Sequence, residues 1–215
     1  MEFLNLSSVE LLPNAKAGAA FTVDSSKVFK EQQDIPPVVI DEGLSYIPWG
    51  ADNQMPYEIL NLIESDETLS TCQMFNAEVC YGSGLVYNTD KSTTKTREQV
   101  DDFFLENNIA GYYLGVCQDF KHFAFSVSVI ILNADGSKVV RIVRKEACYC
   151  RFTPANKQGK IEKLLYANWR VSIASREDIE VIELLDMASP WTDLQERMQV
   201  KTKTRKFAII TRVPT

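Results

Sequence analysis

The feature that most constrains this chain is a change of hydrophobic period near residue 123. Upstream, apolar residues recur three and four positions apart, the spacing that lines one face of a helix. Downstream, Phe123, Phe125, Val127, Val129 and Ile131 alternate with smaller residues, the spacing of a strand. The upstream part divides into four predicted helices. Tyr57, Leu60 and Ile63, with Ile59 beside them, mark the first over 56–63, where Pro56 suits an opening turn whose N–H has no helical partner. Leu69, Cys72, Phe75, Val79 and Cys80 fall near one face of a second over 67–81; a bend at Ser65-Asp66-Glu67 precedes it and Gly82 is its natural stop. Thr96 and Gln99 stand at capping-box spacing ahead of Val100, Phe103 and Phe104, placing a third helix start at TREQVDDFF. A fourth covers 110–121, where Gly111 and Gly115 lower the helical propensity.

After the period changes, Asn133-Ala134-Asp135-Gly136 supplies turn chemistry between the alternating strand and another at 139–143, which together describe a β-hairpin. Strands follow at 147–153 and 160–166, separated by the turn-rich PANKQG, and KFAIITRV reads as the last. Residues 178–186 read as strand or helix, because a short apolar run fits both. Helices first and strands after give an α+β class, N-terminal helices followed by a small antiparallel β-meander. Residues 1–42, which hold neither period, read as an irregular arm, and 43–215 as one helical plus antiparallel-sheet domain.

With 23 basic and 29 acidic residues, 23 − 29 = −6, the chain is no basic nucleic-acid coat, and any DNA contact must be local. The longest near-apolar run, FAFSVSVIIL, falls well short of the ~20 residues a membrane span needs. The start, MEFLNLSSVELL, lacks the basic region of a secretory signal, and five cysteines at irregular spacing fit reduced thiols, so a cytosolic product is expected.

The residues that tempt a chemical reading each have a plainer one. Gly82-Ser83-Gly84 follows a helix, whereas a nucleophile elbow or phosphate cradle precedes one, so the glycines read as a cap and a turn into a strand. His122 is the sole histidine; Asp119, three residues earlier, could orient it, but no nucleophile stands nearby. On a strand, Cys148 and Cys150 would share a face, yet C-x-C without a second pair is a poor zinc motif. Glu98, Asp101 and Asp102 read as a solvated helix face. No catalytic, metal or cofactor site is therefore assigned. Arg197, Lys201, Lys203, Arg205, Lys206 and Arg212 follow Glu196 with no further acid. Extended, Lys201, Lys203 and Arg205 would form a ladder able to touch phosphates, with Lys206 beside it; lysines that guard an edge strand are the plainer account. In the loop before the first helix, Trp49 reads as an anchor, Gly50 as the turn, Asp52 and Asn53 as acceptors for N–H groups near the helix start, and Pro56 as its first turn.

The order YIPWGADNQMPYEILNLI, ESDETLSTCQMFNAEVC, YGSGL resembles the N-terminal part of tailed-bacteriophage portal proteins, in which a P-(W/F)-G-x-x-N-x-x-P stretch leads into a helix, a second helix follows a short break, and Gly-x-Gly closes it. FAFSVSVIILNADGSKVVRIVRKEACYCRF resembles that family's hairpin, running into a V-R-like step at Cys150-Arg151. LLYANW and VIELLD look like its later landmarks. The chain departs from many relatives in carrying Lys121-His122-Phe123 just before the hairpin. Portal subunits are also longer, with stem helices, tunnel loop and much of the clip expected beyond Thr215, so this chain reads as the wing-like front of a truncated one.

The resemblance implies a structural protein of virus or prophage, not an enzyme and without cofactors: a ring of about twelve subunits closed by heterologous interfaces at a capsid vertex. Assembled in the host cytoplasm, such a ring passes double-stranded DNA without reading sequence, and terminase, capsid and head-tail adaptor proteins dock on it. Two other readings stand beside it: a small cytosolic ligand-binding or enzymatic domain using the 49–53 loop with His122, and a monomeric protein-interaction module.

Overall fold

The computed structural model describes residues 36–41, 43–86, 94–171, 176–200 and 203–212. A short antiparallel hairpin, β1 (Val38–Asp41) and β2 (Leu44–Tyr46), precedes the helices α1 (Met55–Ser65), α2 (Glu67–Tyr81), α3 (Thr94–Glu106) and α4 (Ile109–Phe123). Strands β3 (Phe125–Leu132), β4 (Val139–Lys145), β5 (Cys150–Phe152), β6 (Lys163–Tyr166) and β7 (Glu180–Leu184) follow, then α5 (Pro190–Val200) and β8 (Lys206–Arg212). The chain is α+β. Strand β1 falls inside the stretch expected to be an irregular arm; residues 1–35 and 42 of that arm lie outside the described residues.

Local chemistry accounts for the helix ends. Asp66 separates α1 from α2 by accepting from the N–H groups of Thr68 and Leu69 at 2.8 and 3.0 Å, and Gly82 ends α2 at φ +55° with its N–H donating to Glu78 O. Helix α3 begins at Thr94, so Thr96 and Gln99 sit inside its first turns and are not its cap. The glycines of α4 are there for close approach. A Cβ on Gly111 would lie 2.6 Å from Asn108 Nδ2, the side chain that caps the helix, and one on Gly115 would lie 2.6 Å from Arg144 Nε. No strand is seen at 85–86 after Gly84, and 87–93 lie outside the described residues.

The sheet corrects the expected meander. Its order is β4-β3-β8-β7-β6-β5, antiparallel except for the parallel pair β7·β8. Helix α5 is the crossover that makes the parallel pair possible. It opens with Pro190 in its first turn, and Leu194 buries against Leu185, Ile130 and Phe207. The last strand therefore lies at the centre of the sheet, paired with β3 from Phe125↔Arg212 to Ile131↔Lys206, and its Phe207 and Ala208 are fully buried. Near-continuous apolar sequence is what a strand covered on both faces requires. Residues 178–186 resolve as the strand β7 after a 3-10 turn at Arg176–Asp178. The expected strand at 147–153 begins instead with a 3-10 turn, Ala147–Tyr149.

On one face Val127, Val129, Cys150, Leu164, Ile182, Leu184 and Ala208 form a single cluster. The sheet curls over it: Phe125 of β3 meets Phe152 of the far edge strand at 5.9 Å between ring centroids, and Lys145 of β4 reaches Glu180 of β7 at 2.6 Å. The other face carries α4, α5 and the segment that leads into α1. There Tyr112 and Ser128 share a hydroxyl hydrogen bond of 2.7 Å, and Leu44, Tyr46, Tyr57, Leu165 and Trp169 pack together.

Helix α2 holds to its expected bounds but turns its apolar stripe outward. Ala77 is its buried residue, while Leu69, Phe75 and Val79 are 38%, 63% and 62% exposed and Cys72 and Cys80 are exposed as well. Phe207→Ala should cost about 3–5 kcal/mol in urea unfolding, whereas Phe75→Ala should stay within about 1 kcal/mol. Equal costs would contradict this placement.

Candidate functional site

The 49–53 loop closes on an arginine 98 residues away. Gly50 turns the chain at φ +77°, and Asn53 takes the left-handed conformation at φ +63°, which asparagine tolerates better than most residues. Its Oδ1 accepts from Trp49 N–H at 3.1 Å and from Arg151 Nε, and its carbonyl accepts from Arg151 NH2 at 3.0 Å. Asp52 Oδ1 accepts from Gln54 N–H at 3.0 Å, beside the helix start, while Gln54 itself occupies the N-cap without a side-chain bond and Pro56 fills the first turn. Asn53 thus serves the arginine and the loop, not the helix terminus as expected.

Arg151 is fully buried. Its NH1 donates to Cys148 O at 2.9 Å and Cys150 O at 2.8 Å, so four of its five N–H donors bind oxygen. No carboxylate is among these partners. The indole rings of Trp49 and Trp169 lie 5.7 and 5.3 Å from the guanidinium carbon, within reach of a cation–π attraction. Burial lowers the Arg151 pKa to about 10, which leaves it charged at neutral pH. The rings are held in turn. Trp169 Nε1 donates to Tyr149 O at 2.8 Å, Trp169 N–H to Tyr57 Oη at 3.2 Å, and Gln54 Nε2 to Trp169 O at 3.2 Å, while Trp49 meets Phe123 edge-on and Phe125 at a tilt. The arrangement solvates a buried charge with backbone dipoles and aromatic faces; it positions no nucleophile.

The other candidates come apart in space. Asp119 does not serve His122 among the bonds described: its Oδ1 lies 3.0 Å from Arg144 NH1, whose second partner is Gly115 O. Burial pushes the Asp119 carboxyl up to about 6 against the pull of Arg144, and burial first, then Arg144, holds half-buried His122 below its usual value. Asp52 is exposed. Neither the cavity of about 570 Å³ beside Tyr112 nor that of about 770 Å³ beside Lys160 is lined by His122 or the 49–53 loop. Cys148 and Cys150 do not share a face: Cys148 packs with Leu165 and Trp169, Cys150 with Val129 and Leu164. Among the described residues no group of three or more His, Cys, Asp or Glu is placed to hold a metal, and no helix is long and apolar enough to cross a membrane. Glu98, Asp101 and Asp102 are exposed on α3.

The described part of the basic ladder, 203–205, is not a strand, because β8 begins only at Lys206. Lys201 lies outside the described residues and Lys203 is exposed. Arg205 donates to Ala134 O and Thr204 O, and Lys206 pairs with Glu180 at 2.8 Å. Sequence reasoning assigned no role to Trp169 or Arg151. The signal was an arginine and a tryptophan set in runs that otherwise read as buried, CYCRF and LLYANW, where an unpaired charge would be unaffordable without acceptors.

No family model matches the chain, and no curated protein matches it either.

Asn53→Ala should lose about 2–4 kcal/mol, by removing a charge-assisted hydrogen bond and placing alanine at positive φ, while Asn53→Asp should stay within about 1 kcal/mol of the parent. Similar losses in both would contradict the assigned role. For Asp119 the folded state keeps its proton to about pH 6, whereas the unfolded carboxyl loses it near 4, so folded protein binds more protons in that window and stability falls as pH rises through it. Urea midpoints should therefore show Asp119→Asn gaining on the parent by the equivalent of about 1–3 kcal/mol between pH 4 and 7; a constant difference would show that Arg144 keeps the carboxylate ionised throughout.

Proposed function

We propose that the chain is a structural subunit of a tailed-bacteriophage portal ring, a wing-like part that stands at a capsid vertex and through whose ring DNA is packaged and ejected. The observation that carries this reading is the meeting of three separate stretches at one point. The P-W-G-x-x-N-x-x-P loop contributes Asn53 and Trp49, the Cys150-Arg151 step contributes the guanidinium, and LLYANW contributes Trp169. The resemblance rests on the order of these stretches, and residues brought together to enclose one buried charge give them a common structural reason.

A structural role also suits the chemistry. The polar groups of the loop that invited a ligand reading are engaged in folding contacts. A net charge of −6 suits a tunnel wall along which DNA must slide, since strong phosphate binding would hold it. Such a subunit closes a ring of about twelve copies through two different faces and receives terminase, capsid and head-tail adaptor proteins.

The test is the assembly state of the product of the full reading frame, by native mass measurement and electron microscopy. Closed rings with a central channel are expected, with no dependence on His122. A product that stays monomeric at high concentration overturns the reading.

A further inference from the structure

The chain segregates its charge. Between Lys30 and Lys91 stand eleven acidic residues and no basic one, and after Glu196 stand six basic residues and no acidic one. The acidic segment includes α1 and α2, where Glu58, Glu64, Asp66, Glu67 and Glu78 make no ion pair among the described residues. On α2 itself Glu67 and Glu78 stand together beyond one edge of the exposed stripe of Leu69, Cys72, Phe75 and Val79, residues spaced three and four apart so that they share one side of the helix.

The basic segment ends beside an apolar groove. A cavity of about 570 Å³ is floored by Ile209 of β8 and bordered by Met187, Trp191 and Arg212. Trp191 is 60% exposed although it belongs to a residue type that interfaces favour. Arg197 and Lys206 are neutralised by Asp193, Glu183 and Glu180, whereas Arg212 is exposed and makes no ion pair among the described residues. No residue of α2 lines this groove.

We infer that the α2 stripe of one copy docks in the Trp191 groove of a second copy, with the acids of α2 facing the basic end of β8. The two halves of the complementarity sit on one chain yet do not meet among the described residues. The contact is therefore heterologous, joining unlike faces head to tail, and each copy offers both. Apolar area holds it, and the opposed charges orient the approach and disfavour stripe-to-stripe pairing. The inference rests on the ring reading for closure and names the two faces that such a ring joins.

Disulfide trapping tests it directly, because Cys72 already lies on the stripe. In a Cys80→Ser background, Trp191→Cys should give, on mild oxidation, a ladder of dimers and higher multimers on non-reducing gels, lost when Cys72→Ser is added. In sedimentation, Phe75→Glu with Val79→Glu should weaken self-association about tenfold or more while leaving the melting temperature nearly unchanged, since both positions are exposed. Unchanged association in that variant, with no ladder, overturns the docking and leaves the ring reading standing. A parent protein that sediments as a monomer at all concentrations and gives no rings overturns both. A monomer destabilised by the α2 changes would show that the stripe is covered by another part of its own chain, which also overturns the docking.

Discussion

The fold turns on a buried cation without a buried anion. Placing the Arg151 guanidinium in the interior carries a desolvation cost of several kcal/mol, and here the cost is offset by three backbone carbonyls, the Asn53 amide oxygen and two indole faces. That set works only if the loop before α1, the turn at Ala147–Tyr149, the edge strand β5 and the segment after β6 arrive together. The left-handed turn at Asn53 and the short bridge in which Ile47 N–H donates to Phe152 O at 3.0 Å follow from that requirement. The junction therefore fixes how the helical half is set against the sheet.

The same constraint decides how the tempting residues are read. A solvated loop of Trp, Gly, Asp and Asn invites a ligand; a loop whose oxygens are consumed by a buried arginine does not. Specificity in such a motif is conformational. Asn53 is hard to replace because it must accept two hydrogen bonds at positive φ, and Gly50 because of its own positive φ.

Much of the fold was legible because its signals are local. The bounds of α2 follow from Asp66 and Gly82, and the β3–β4 hairpin from alternation and the Asn133–Gly136 turn. What was not legible is long-range. Nothing in KFAIITR says that β8 inserts between β3 and β7, because a central strand and a buried edge strand share one composition. Helix α5 was missed, although Ser189-Pro190 and the pair Leu194 and Met198 mark it, since one Trp exposed at its start blurs the period. The α2 stripe shows the converse error: helical spacing of apolar residues reveals the helix but not what it faces. The arginine junction was visible only as pieces, quoted separately for their order, because burial of Arg151 depends on acceptors from residues far apart in the chain.

The central claim, that Asn53 and Arg151 act as one unit, is tested most directly by a double-mutant cycle. Urea unfolding of the parent, Asn53→Ala, Arg151→Met and the double variant isolates their coupling from the separate effects of each change. Because Arg151→Met removes the charge that Asn53 solvates, the double variant should cost less than the sum of the single ones by about 1.5–3 kcal/mol. Additive losses would mean that the loop and the arginine are stabilised independently, and would contradict the account.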